Sequence, residues 1–124
     1  MRKIIVSADA PAPIGPYSQA VLAGNTLYVS GQIPLDKNGT LITGSIEEET
    51  ELVMSNLLAI LQAADMNFSH VVKCSIFLTD MGNFPRVNAV YAKAFQNEPP
   101  ARETVQVSAL PKNANVEISC IAVK

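Results

Sequence analysis

Apolar residues recur along this chain with two periods, one of two residues and one of three to four, and the switches between them mark out the elements. Residues 3 to 6 read as a strand. Residues 18 to 30 read as two more, with Gly24-Asn25 as a turn between Gln19–Ala23 and Thr26–Ser30, a spacing suited to a hairpin. From 33 to 43, Pro34, Asp36, Asn38 and Gly39 bring turn chemistry without a sustained period, so this stretch is a connection. Ser45 is placed as an N-cap, with Glu48 three residues on to return the capping bond and Glu47 to Glu49 on the positive end of the helix dipole. Val53, Leu57, Ile60, Leu61 and Ala64 then form one apolar stripe of a helix that should stop near Asp65 to Asn67.

Val71 to Thr79 alternates, with Val72, Cys74, Ile76 and Leu78 on one face and Val71, Lys73, Ser75, Phe77 and Thr79 on the other, as in a half-buried strand. A second helix follows, capped by Asn83 with Pro85 in its first turn. It carries Val87, Val90, Tyr91, Ala94 and Phe95 on a single face, and Pro99-Pro100 ends it. In the next strand Val105, Val107 and Ala109 oppose Arg102, Thr104, Gln106 and Ser108. In the last, Val116, Ile118, Cys120 and Ala122 oppose Glu117, Ser119, Ile121 and Val123. Strands at the ends with helices between them predict an α+β fold, two helices on one face of a mixed sheet. The other face is expected to hold Arg102, Thr104 and Ser119 beside Ile121 and Val123. It is too apolar to be fully wet and too polar to be core, which fits an interface cleft.

Length narrows this picture to one domain over residues 1–124, because a single core is the usual solution at 124 residues. An apolar content of 48% against 16% charged residues allows a packed fold, and such sparing use of charge points to self-association. A formal charge of -2 with scattered Lys and Arg argues against nucleic-acid binding. Met1 to Val6 is too short in apolar residues for a signal peptide and no run reaches membrane-spanning length, so a cytoplasmic protein is expected. Cys74 and Cys120 read as buried thiols rather than nucleophiles, and His70, the only histidine, as a structural residue. No metal site is expected, and Glu47 to Glu51 is a solvated helix start.

Four segments carry more specific information: Gly15-Pro16-Tyr17-Ser18-Gln19-Ala20; Ser30-Gly31-Gln32-Ile33-Pro34; Asn88-Ala89-Val90-Tyr91; and Pro100-Ala101-Arg102-Glu103-Thr104-Val105 leading to Leu110-Pro111-Lys112 and Val116-Glu117-Ile118. As a set, in this order over nearly the whole chain, they resemble the RidA (YjgF-type) family. The resemblance implies a chorismate-mutase-like fold assembled as a homotrimer, with the sheets forming a central barrel and a ligand cleft at each subunit boundary. It also implies hydrolysis of 2-imino or 2-enamino acids such as 2-aminoacrylate to 2-keto acids and ammonia, without a cofactor.

The resemblance makes Arg102 the carboxylate-binding residue. A guanidinium fork meets a carboxylate with two charge-assisted hydrogen bonds, which Lys cannot reproduce. Gly31 and Thr104 would offer backbone N–H groups to the same carboxylate. Tyr17, Ser30 and Asn88 would lie near the reacting carbon, with Asn88 coming from the adjacent subunit. Best-characterised members carry a second Glu two residues after the one matched by Glu117, where it hydrogen-bonds the attacking water. Here that position is Ser119, which can orient water but cannot act as a base at neutral pH. Weaker turnover is expected on that account, and the alternative class is a non-catalytic binder of small carboxylates that serves as a metabolic sensor.

Overall fold

The structure is a computed structural model and describes residues 2–124; Met1, where the expected domain and the N-terminal stretch begin, lies outside the described residues. β1 (Arg2–Ile5) pairs antiparallel with β2 (Ala20–Ala23), and β2 with β3 (Thr26–Gln32). Gly24 makes the reversal between β2 and β3 at φ 63°, a conformation closed to most side chains. β3 runs on past Ser30 through a bulge between Val29 and Gln32 in its ladder with the last strand. The 33 to 43 connection is a loop pinned by a single bridge, Leu35 to Leu41.

α1 (Ile46–Ala63) starts where Ser45 accepts from the Glu48 N–H at 3.1 Å, as the spacing predicts. The return bond differs: the Glu48 carboxylate takes the Ser45 hydroxyl rather than its backbone N–H. Val53, Leu57, Ile60 and Leu61 are fully buried, and Asp65, in the left-handed conformation, ends the helix as expected.

β4 (Val71–Leu78) leads to α2 (Phe84–Ala92), β5 (Ala101–Gln106) and β6 (Val116–Val123). One six-stranded mixed sheet results, in the order β1-β2-β3-β6-β4-β5, with β4 and β5 the parallel pair. The expected cap of α2 is corrected. Asn83 makes no capping bond, and Asp80 instead accepts from the Gly82 N–H at 2.8 Å to start a turn that runs into the helix. Val87, Val90 and Tyr91 face the core.

The two helices cover one side of the sheet, where Leu27, Ile76, Leu78, Val116, Ile118 and Ala122 are buried. Two face assignments need correction. A bulge between Val71 and Lys73 reverses the first residues of β4, so Val71 is 7% exposed and Val72 48%. In β5 the register pairs Arg102 with Cys74 and Thr104 with Ile76, which puts Arg102 and Thr104 on the helix side. Ser119 pairs with Ser75, on the open side. The alternation of β5 misleads because this strand sits at the sheet edge, where the helices leave both faces half open and Val105 is exposed. The open side carries Tyr28, Phe77, Val105, Ile121 and Val123 around Glu117 and Ser119.

Candidate functional site

The residues singled out by the sequence gather in two places. The first is a cavity of about 430 Å³ lined by Tyr17, Ser30, Gly31, Gln32, Lys112 and Glu117 together with apolar side chains. The bulge in β3 aims Ser30 and Gly31 toward it. The Ser30 hydroxyl donates to the Ser18 carbonyl at 2.6 Å, and its N–H to the Gln19 carbonyl at 2.9 Å, so this corner is fixed to the segment carrying Tyr17. The Tyr17 hydroxyl accepts the Ile14 N–H at 3.3 Å, across a turn that Gly15 makes at φ 121°.

Gln19 holds the rim from below. Its amide donates to the carbonyls of Ser7 at 3.1 Å and Pro11 at 2.9 Å and accepts the Ser7 N–H at 2.7 Å. Gly31 gives Glu117 its room: a β-carbon there would lie 2.5 Å from Oε2 of Glu117, and the carboxylate would have to swing aside. Glu117 is half-buried, and burial pushes its carboxyl above the usual carboxylate range. A carboxyl shifted this way suits taking a proton from water and giving it up again.

The second place is a shallower pocket of about 450 Å³ beyond the edge of β5, lined by Asn88, Tyr91, Phe95, Pro99, Pro100 and Arg102. Nη1 of Arg102 donates to Oδ1 of Asn88 at 2.7 Å. The guanidinium carbon stands 5.0 Å from the Tyr91 ring centre and 5.4 Å from that of Phe84, within reach of both π-faces. Among the described residues no carboxylate pairs with Arg102; the ion pairs are Lys73–Glu103, Arg86–Glu47 and Lys93–Glu51. The group is thus oriented by a neutral amide and two rings, with its charge uncompensated.

The structure therefore brings Tyr17, Ser30, Gly31 and Glu117 together, and separately Arg102 with Asn88. Thr104 lies two residues along β5 from Arg102, with its hydroxyl buried and unpartnered. Ser119 lines neither pocket; it stands on the open face opposite Ser75, whose hydroxyl bonds Glu103. Within one chain Asn88 stands beside the guanidinium, in a pocket separate from the one that holds Ser30 and Tyr17. Sequence reasoning missed Phe84 and Tyr91 as the supports of Arg102. Tyr91 lies three residues after Asn88 on one helix face, a usable signal, but its apolar stripe absorbed it into the core reading.

Cys74 and Cys120 sit side by side beneath this pocket, buried as expected. Burial pushes the Cys74 thiol up and that of Cys120 up to about 12, which keeps both as unreactive thiols. His70 is structural: its Nδ1 accepts the Asn67 N–H at 3.0 Å. Among the described residues no group of three His, Cys, Asp or Glu could hold a metal ion, and no helix is long and apolar enough to cross a membrane.

Comparison with known proteins adds a family to this geometry. The family described as Endoribonuclease L-PSP matches residues 7–124. Protein DfrA of Myxococcus xanthus is 55% identical, over 98% of this chain and 95% of its own. A 2-iminobutanoate/2-iminopropanoate deaminase of Bos taurus is 49% identical, over 100% of this chain and 91% of its own. The crystal structure of a putative endoribonuclease from Thermotoga maritima superposes with a TM-score of 0.98 at 50% identity, covering 100% of this chain and 98% of that one. With the mixed sheet, the two one-sided helices and all four sequence segments in place, the chain belongs to this family, the RidA (YjgF) family.

Proposed function

We propose that the protein hydrolyses reactive 2-imino and 2-enamino acids, such as 2-aminoacrylate, to 2-keto acids and ammonia. The observation that carries this reading is Arg102: a guanidinium held flat by Asn88, Phe84 and Tyr91, with no acidic partner among the described residues, is prepared for a ligand's carboxylate. The deaminase named among its relatives supports the same choice.

Arg102 on β5 and Glu117 on β6 stand on opposite sides of the sheet in one chain, with β4 between the two strands. The full site on this reading is a cleft between copies, where Arg102 and Asn88 of one meet Tyr17, Ser30, Gly31 and Glu117 of the next. The uncovered apolar residues Tyr28, Val105, Ile121 and Val123 supply the contact surface for a homotrimer whose sheets face a common barrel. The reading treats residues 1–124 as one catalytic unit, acting in the cytoplasm without a cofactor.

The steps follow from the groups present. An enamine first tautomerises to the imine. Arg102, helped by backbone N–H groups at Gly31 and Thr104, holds the carboxylate, and Glu117 accepts a proton from water as its oxygen bonds to C2. That proton passes to nitrogen, giving a carbinolamine; a second transfer, from the new C2 hydroxyl to nitrogen by way of Glu117, makes ammonia the leaving group, and the C–N bond breaks as the C=O forms. The Ser30 and Tyr17 hydroxyls position the substrate. Ser119, outside both pockets, takes no part, so its failure to be Glu does not remove the base.

A serine or threonine dehydratase generates 2-aminoacrylate in situ, and semicarbazide traps what escapes. Added protein should lower the trapped amount, Arg102→Ala should abolish that effect, and Ser119→Ala should leave it within about twofold. Absence of acceleration with retained binding of 2-oxobutyrate would identify a carboxylate sensor instead.

A further inference from the structure

We propose that Lys112 is a specificity-determining residue that grips a second acidic group, so that the site takes 2-imino diacids of four and five carbons as well as short monoacids. The inference rests on the reading above for the end of the substrate held by Arg102.

Lys112 lines the same cavity as Tyr17, Ser30 and Glu117, and it is the one cation among the lining residues. Its ammonium enters none of the ion pairs among the described residues. Pro11, Ala12, Ile14, Ile33, Leu35 and Pro111 form the apolar part of the wall, beside Gln19 and Gln32. An apolar wall with a free cation on it matches a short methylene chain ending in a carboxylate.

The backbone presenting Lys112 is held in an uncommon shape. Lys112 and Asn113 follow one another in the left-handed region, at φ 56° and 59°, which side chains other than glycine seldom adopt. Two turns close around them, from Asn113 N–H to the Leu110 carbonyl and from Ala114 N–H to that of Pro111, both at 3.1 Å. Next to them, Asn115 donates to both carboxylate oxygens of buried Glu49, at 3.1 and 3.2 Å, tying the loop to the first turn of α1. Backbone strain maintained in this way on a cavity wall marks a position kept for its side chain.

Calorimetric titration of the full chain with 2-oxobutyrate, 2-oxobutanedioate and 2-oxopentanedioate tests this without relying on turnover. The diacids should bind on the order of tenfold more tightly than the monoacid, the size of one charge-assisted hydrogen bond. Lys112→Met should erase that advantage while leaving 2-oxobutyrate unchanged, and Lys112→Glu should invert it. In the wild-type protein the diacid affinities should also fall more steeply with added salt, a check that needs no variant. Equal affinities in the wild type, or an advantage that survives Lys112→Met, overturns the assignment. If Arg102→Ala weakens none of the three acids, the role of Arg102 fails, while the contrast at Lys112 is judged on its own.

Discussion

Glu117 differs from an ordinary glutamate in where it is placed: half out of water on β6, against a glycine that leaves it no room to spare. Burial raises its folded-state pKa. Two consequences follow, with opposite dependence on pH. As a base it must be ionised, so kcat/KM should decline as pH falls through the raised value, giving an acid limb above the usual glutamate range. For stability, the folded chain holds this proton more firmly than the unfolded one between the ordinary glutamate value of 4.5 and the raised value. Stability from this group is therefore greatest below that window and is lost as pH rises through it. Glu49, also raised by burial with Asn115 opposing, adds a slope of the same sign. The acid limb is read in the wild-type pH-rate profile; Glu117→Gln should abolish turnover at every pH and flatten part of the stability slope, read by urea midpoints across pH 4.5 to 7. Turnover that survives in the variant would assign the proton transfer to another group.

Among the elements, Gln19, just before β2, shows how one lining residue can hold the chain on either side of a pocket. Its amide bridges Ser7 to Pro11 in the chain before β2, and Gln19→Leu keeps the volume while leaving buried carbonyls unpaired, a cost of about 1–3 kcal/mol. Amides from Ser7 to Tyr17 should then exchange hydrogen faster, and KM should rise more than kcat falls. A variant with native exchange rates in that segment would deny Gln19 the role. Elements of this kind also separate what the sequence discloses from what it hides. The helices were legible because burial of one stripe dictates a period, as Val53, Leu57 and Ile60 do in α1. The faces of β5 were not, because an edge strand is half covered on both sides and its alternation no longer tracks the core. The start of β4 was hidden by a bulge, and a single inserted residue flips every side chain before it. Arg102 and Glu117 could be named from motifs, but which side of the sheet each occupies depends on register, a property of pairing between distant segments.

At the level of the whole molecule, placing the two half-sites on opposite sides of one sheet makes each chain inadequate by itself on the proposed reading. Arg102→Ala and Glu117→Gln chains, each inactive alone, should recover activity when unfolded together and refolded as mixed rings. A cleft works when its arginine side comes from a Glu117→Gln copy and its glutamate side from an Arg102→Ala copy, so random mixing returns about a quarter of wild-type activity. Equal mixtures that stay inactive, with mixed rings demonstrated by mass, would place both groups within the same copy's site.

The Cys74–Cys120 pair, one row inward from Arg102, has a bearing on durability. Aminoacrylates are electrophiles, and on the proposed reading the protein keeps company with a compound able to alkylate sulfur. With both sulfurs walled in by side chains and held protonated, the described residues carry no accessible thiol next to the guanidinium, and the working life of such a protein need not be cut short by the molecules proposed as its substrates.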